Sequence, residues 1–187
     1  LPIVSEVILV DTGSTDDTVK IVEQLGGKVY YREWDEDFAA PRNLSIEKAA
    51  GDWILILDAD ERIAQCDLEA LQALTGDRSI CWEFLQRHYS NDPRLSDFTP
   101  CKGEYPEFEV GVAGYFESNC VRLFPNREGL NYQGRVHELV EHSIRALGRH
   151  TIKRTPVRIQ HYGHTKVHQE KRNKSSQYLN LGLDKIK

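Results

Sequence analysis

Two acidic turns carry the clearest chemistry in the chain. Asp11-Thr-Gly-Ser14 closes the apolar run Glu6-Val-Ile-Leu-Val10, and Asp58-Ala-Asp60 closes Trp53-Ile-Leu-Ile-Leu57. Carboxylates one residue apart offer the hard oxygen ligands that magnesium or manganese prefers, and the first can also accept from ribose hydroxyls. Thirteen Asp in 187 residues produce roughly one Asp-x-Asp by chance, and Asp35-Glu-Asp37 is another copy with no strand before it. Position separates them. In an open sheet ligands collect outside the carboxyl ends of the strands, where Asp58 and Asp60 fall.

Further constellations are weaker. His161, His164 and His168 are tightly spaced, but a structural zinc site would want a nearby thiol and none is close in sequence, so one His completing the carboxylate site is the economical reading. Gly134-Arg-Val-His-Glu138 sets a carboxylate beside a His and an Arg, a low-specificity pattern for acid or base work. Asp11-Thr-Gly-Ser14 is also the string of aspartic proteases, which share one proton between two such carboxylates. No second copy exists here, and the string runs into Thr15-Asp-Asp-Thr18. Neither a dinucleotide glycine fingerprint nor a P-loop occurs.

The elements that must position these residues follow from periodicity. Residues 6–10 read as a buried strand, and Ser14 or Thr15 as the cap of a helix with Asp16 and Asp17 in its first turn. Val29 to Tyr31 is a short strand. A helix with Pro41 in its first turn and Leu44, Ile46 and Ala49 on one face stops at Gly51, and Trp53 to Leu57 is the strongest strand. Strand, helix, strand, helix, strand is the pattern of an α/β fold with a mostly parallel sheet. Beyond it, Ile80 to Gln86, Cys120 to Phe124 and Val157 to His161 are strands, and residues 90–107 a polar loop.

Length fits one domain over residues 1–165, with 166–187 as a basic C-terminal helix. Apolar residues make up 40% of the chain, enough for a sizeable core. No apolar run nears the roughly 18 residues of a membrane span. The chain opens at Leu1 with no basic and apolar leader, and its four cysteines lack ligand spacing, which points to a fragment of a cytoplasmic protein with reduced thiols. Charge is polarised, with residues 1–142 at −14 and residues 143–187 at +9. The bland account is a solvated tail. The functional one is attraction of Lys171, Arg172 and Lys174 to an anionic acceptor or to the inner face of a membrane, while nucleic acid is excluded for want of a basic stripe with aromatics.

Taken in order and spacing, Glu6 to Thr18, Phe38-Ala-Ala-Pro-Arg-Asn43 and Gly51 to Glu61 resemble a family 2 glycosyltransferase of the GT-A fold. Arg122-Leu-Phe-Pro-Asn126, Gly134 to Glu138 and His161-Tyr-Gly163 resemble a bacterial branch of it more loosely. The resemblance implies a three-layer GT-A-like domain whose first strand should precede Leu1. It implies metal-dependent, inverting transfer from a nucleoside diphosphate sugar, a UDP-sugar, to a saccharide, lipid-linked or peptide acceptor. Asp11 then meets the nucleotide base, with Thr12 and Ser14 lining the turn and Arg42 near base and diphosphate. Asp58 contacts ribose or metal beside Ala59, Asp60 is the direct ligand of manganese or magnesium, His161 lies near metal or diphosphate, and Glu138 is the base. A nucleotidyltransferase on a similar sheet and a non-catalytic nucleotide-binding scaffold are the rivals.

Overall fold

The computed structural model describes residues 3–127 and 129–163. His164, His168 and the expected basic helix lie outside the described residues. The element order is β1 (Ile8–Asp11), α1 (Thr18–Gln24), β2 (Lys28–Tyr31), α2 (Ala39–Lys48), β3 (Trp53–Leu55), β4 (Glu61–Ile63), α3 (Leu68–Ala73), β5 (Ile80–Ser90), β6 (Thr99–Pro100), β7 (Gly114–Pro125), α4 (Glu141–Leu147) and β8 (Thr151–His161). Among the described residues no helix is long and apolar enough to cross a membrane.

The α/β class expected from the sequence holds, and the strand directions need correcting. β1 and β2 pair in parallel as a separate ribbon. The larger sheet runs β3-β7-β5-β8-β4, with β6 on β7. Among the described residues β5 and β8 are its one parallel pair, and the other pairs are antiparallel. Strands buried on both faces show unbroken apolar runs in either direction, so hydropathy could not reveal the reversal. The chain leaves β5 through residues 91–113 and returns beside it as β7, which makes that pair antiparallel. Strands β5, β7 and β8 also run longer than their apolar segments, because polar residues continue the ladders beyond the core.

Helix α1 starts later than expected, because the Asp16 carboxylate takes the Thr18 amide at 3.0 Å and its hydroxyl, leaving Asp16 and Asp17 ahead of the first turn. Asp37 Oδ1 receives the amides of Ala39 and Ala40 at 2.9 and 3.1 Å, starting α2 with Pro41 in the tolerated first turn.

Alternate residues along β3 and just past its end feed two cores. Ile54 and Ile56 join Ala39, Phe124, Val140 and Ile144 under α2 and α4, while Trp53 and Leu55 join Leu71, Phe84, Val157 and Ile159 near α3. Layers of helix on both faces follow from this division. One register feature positions the site. β8 steps past Pro156, which has no amide to donate, so that Glu83 faces Arg154 but Leu85 faces Arg158. Beyond that irregularity His88 lies opposite His161, Glu61 opposite His161, and Phe116 opposite His88, forming one row across four strands.

Candidate active site

Asp11 ends β1, the strand that α2 packs against. Its buried carboxylate accepts from the amides of Gly13 and Ser14, each at 3.1 Å from Oδ2. The Ser14 hydroxyl and these amides hold the Asp11 carboxyl below its ordinary value, against the opposing effect of burial. Gly13 takes φ +113°, a conformation that an L side chain rarely adopts, which lets the turn fold back on the carboxylate. Thr12 is half-buried and Ser14 exposed in the same turn.

The second turn is closed reciprocally. The Asp58 amide donates to Glu61 Oε2 at 2.8 Å, and the Glu61 amide donates to the Asp58 carbonyl at 2.9 Å. Ala59 is exposed between them. The Glu61 side chain is fully buried, and its Oε1 receives Arg122 Nη2 at 2.8 Å together with the amide of Gln86. Burial pushes the Glu61 carboxyl up, and Arg122 does not fully offset it.

Asp58 sits between two guanidinium groups. Arg42 Nη2 is 2.7 Å from Oδ1 and Arg122 Nη2 is 3.1 Å from Oδ2. Burial works to raise its carboxyl, but Arg122 and Arg42 prevail and hold it below the ordinary value. Arg42 also reaches Glu138, with Nε 2.8 Å from Oε1, and stacks its guanidinium 5.4 Å from the centre of the Tyr132 ring. Arg135, near Glu138 in sequence, donates to the Asp35 carbonyl at 2.7 Å.

The remaining pair is Asp60 and His161. His161 Nε2 lies 3.5 Å from Asp60 Oδ2, and the Tyr162 amide donates to the Asp60 carbonyl at 3.3 Å. A Cβ on Gly163 would fall 2.6 Å from His161 Nε2 and 3.0 Å from Asp60 Oδ2, so any side chain there would displace one of the pair.

The structure thus joins Arg42, Asp58 and Glu138 in one ionic network and brings Asp60 to His161. The expected metal set divides: Asp58 gives both oxygens to arginines, whereas Asp60 and His161 present an oxygen and a nitrogen side by side, a pair suited to a divalent cation. Among the described residues no group of three His, Cys, Asp or Glu could hold a metal unaided. Sequence reasoning gave no role to Arg122, Glu61, Gln86 or His88. A signal existed for Arg122, a charge inside the apolar run Val121 to Phe124, because such a residue is seldom buried without a partner.

Comparison with known proteins places this chain in a family. The profile of Glycosyl transferase family 2 matches residues 3–96. A TPR repeat-containing protein of Synechococcus elongatus is 39% identical over 167 residues, covering 86% of this chain and 36% of that protein. An uncharacterized glycosyltransferase of Rickettsia felis is 38% identical over 147 residues, covering 74% of this chain and 52% of that one. The chain therefore spans about a third to a half of these relatives. Among solved structures, GalNAc-T7 crystallised with UDP, GalNAc and Mn2+ superposes with a TM-score of 0.53 at 16% identity, covering 87% of this chain and 38% of that one. That likeness bears out the GT-A-like fold. With half of its length matched by the family profile, the chain belongs to glycosyl transferase family 2.

Proposed function

We propose that the protein transfers a sugar from a UDP-sugar to an acceptor hydroxyl, with inversion and with a divalent cation, manganese or magnesium. The observation that carries this reading is the ionic network in which Arg42 joins Asp58 to Glu138. It ties a donor-side carboxylate to an acceptor-side one through a single guanidinium.

Asp58 and Glu61, with Asp60 and Glu138, set four carboxyl groups against the guanidiniums of Arg42 and Arg122. A diphosphate entering so acidic a site is repelled unless a cation offsets it. Asp60 and His161 are the residues to hold that cation, which when bound would neutralise charge on the departing diphosphate. Asp11, Thr12 and Ser14 take the nucleotide base, Asp58 and Ala59 the ribose, and Arg42 the base and diphosphate side. Glu138 receives Arg42 on Oε1, and its Oε2 is the atom to take the acceptor proton as the hydroxyl attacks the anomeric carbon. The bond to the diphosphate breaks as the new glycosidic bond forms, so no enzyme nucleophile is needed.

The catalytic unit is taken as residues 1–165, cytoplasmic, with the basic tail drawing an anionic acceptor or membrane face. Titration with UDP in the presence and absence of Mn2+ tests the donor side. Binding that requires Mn2+ and is lost in Asp60→Asn, with the fold retained, supports the reading. Equal affinity with and without the cation overturns its metal dependence.

A further inference from the structure

Behind Asp58 the ionic network continues into the core. Arg122 Nη2 serves two carboxylates at once, Asp58 Oδ2 at 3.1 Å and Glu61 Oε1 at 2.8 Å, as a nitrogen with two N–H groups can. Glu61 is held in turn, since its Oε2 takes the Asp58 amide at 2.8 Å and the Gln86 amide donates to its Oε1. The Arg122 backbone is fixed as well, because its carbonyl accepts the Ile56 amide at 2.9 Å, two residues before Asp58. Charges therefore alternate along one row, Glu61, Arg122, Asp58, Arg42 and Glu138. The row is firmest at its buried end, where the Glu61 side chain is 0% and that of Arg122 9% exposed, against 38% for Asp58.

We propose that Arg122 is a positioning residue for Glu138, acting through Asp58 and Arg42. This rests on the reading of Glu138 as the base. Each Asp58 oxygen has its own guanidinium, so Arg122 satisfies one of them and leaves Arg42 to divide its bonds between the other and Glu138. Without Arg122, Asp58 Oδ2 and the buried Glu61 both lose their cation, and Arg42 is the cation that remains in the row. Leaving a buried charge unpaired costs far more than a more exposed ion pair returns. Arg42 is then drawn toward Asp58, and its Nε leaves Glu138 Oε1.

Tyr132 links the two arginines by a second route. Its ring lies under the Arg42 guanidinium, and its hydroxyl donates to the Val121 carbonyl at 3.4 Å, so the platform for Arg42 is tied to the strand that carries Arg122. The base is thus held by residues on α2, β4 and β7, none of them close to it in sequence.

The Nε–H group of Arg42 reports the effect directly, because its partner is Glu138. In protein labelled with 15N in its arginines, that signal is assigned by its disappearance in Arg42→Lys, and its exchange with water is measured without metal or substrate. Arg122→Lys keeps the charge on a shorter stem, and is expected to speed the exchange by about tenfold or more, the equivalent of one lost hydrogen bond to a charged group. Glu138→Ala, which removes the partner outright, sets the full size of the change. Gln86→Met loosens Glu61 without touching Arg122, is expected to move the signal the same way, and decides the question should Arg122→Lys fail to fold. A purely structural Arg122 would lower the melting temperature and leave Arg42 exchange as in wild type, and that result overturns the proposal. In turnover at saturating UDP-sugar, Arg122→Lys should cost less than about twofold more once Glu138→Gln is present, and additive losses also overturn it. Near-normal turnover by Glu138→Gln alone defeats the base reading instead, and the Arg42 signal, read without substrate, still decides whether Arg122 governs the row.

Discussion

Arg42 and Glu138, 96 positions apart in the chain, meet with Nε 2.8 Å from Oε1. The same guanidinium holds Asp58 by Nη2 at 2.7 Å. One planar group thus fixes the spacing of two carboxylates on separate segments. Lysine carries the charge but lacks the fork. Arg42→Lys is expected to keep the fold and lower turnover by about 10²-fold, since misplacement by about an ångström costs that much. Circular dichroism and steady-state rates check it, and wild-type rates in the variant would deny the bridge a role.

The Asp11 turn makes a pH prediction. Its carboxyl is held below the ordinary 3.8 by the Ser14 hydroxyl and by the Gly13 and Ser14 amides. A depressed carboxyl stabilises the fold above its unfolded value, and that contribution fades as pH falls through the folded value. The melting temperature of wild type should exceed that of Asp11→Asn at pH 7, by an amount equivalent to about 1–2 kcal/mol. The gap should narrow as pH falls below about 3.8. A gap that widens on acidification contradicts this.

Gly163 packs against both Asp60 and His161. In Gly163→Ala the new methyl carbon would fall 2.6 Å from His161 Nε2 and 3.0 Å from Asp60 Oδ2, so one of them must move. The expected cost is about 1–3 kcal/mol in urea unfolding, together with weaker Mn2+-dependent UDP binding. Full retention of both would show that the pair tolerates displacement.

Much of the site was legible where sequence and space run together. Each acidic turn follows its apolar run directly, so the sequence points to strand ends: Asp11 does end β1, whereas β3 stops at Leu55 and Asp58 and Asp60 lie in the turn before β4. Arg42 and Glu138 were nominated separately, but nothing local showed that they touch, because that contact depends on how α2 faces the segment after β7. Strand direction was hidden for a related reason, since residues such as Ile54 and Leu55 are apolar on both faces whichever way their neighbours run. His88 was invisible as a site residue. Its partner is chosen by the register of β5 against β8, which depends on the irregularity at Pro156. Short β4 leaves no trace in the sequence because Glu61 to Ile63 is too brief a run to show a strand's alternation, yet the buried Glu61 carboxylate ties the turn to Arg122.

The role of Glu138 as base is the central claim, and one measurement reaches it most directly. A panel of UDP-sugars with Mn2+ and an acceptor is turned over by wild type and by Glu138→Gln, with released UDP and transferred sugar both quantified. Glutamine keeps the shape and can still accept from Arg42 through its carbonyl, but it cannot take a proton. The account predicts transfer by wild type from at least one donor, a loss on the order of 10²-fold or more in the variant, and donor affinity nearly unchanged. Near-normal transfer by Glu138→Gln would contradict it and assign the proton to another carboxylate.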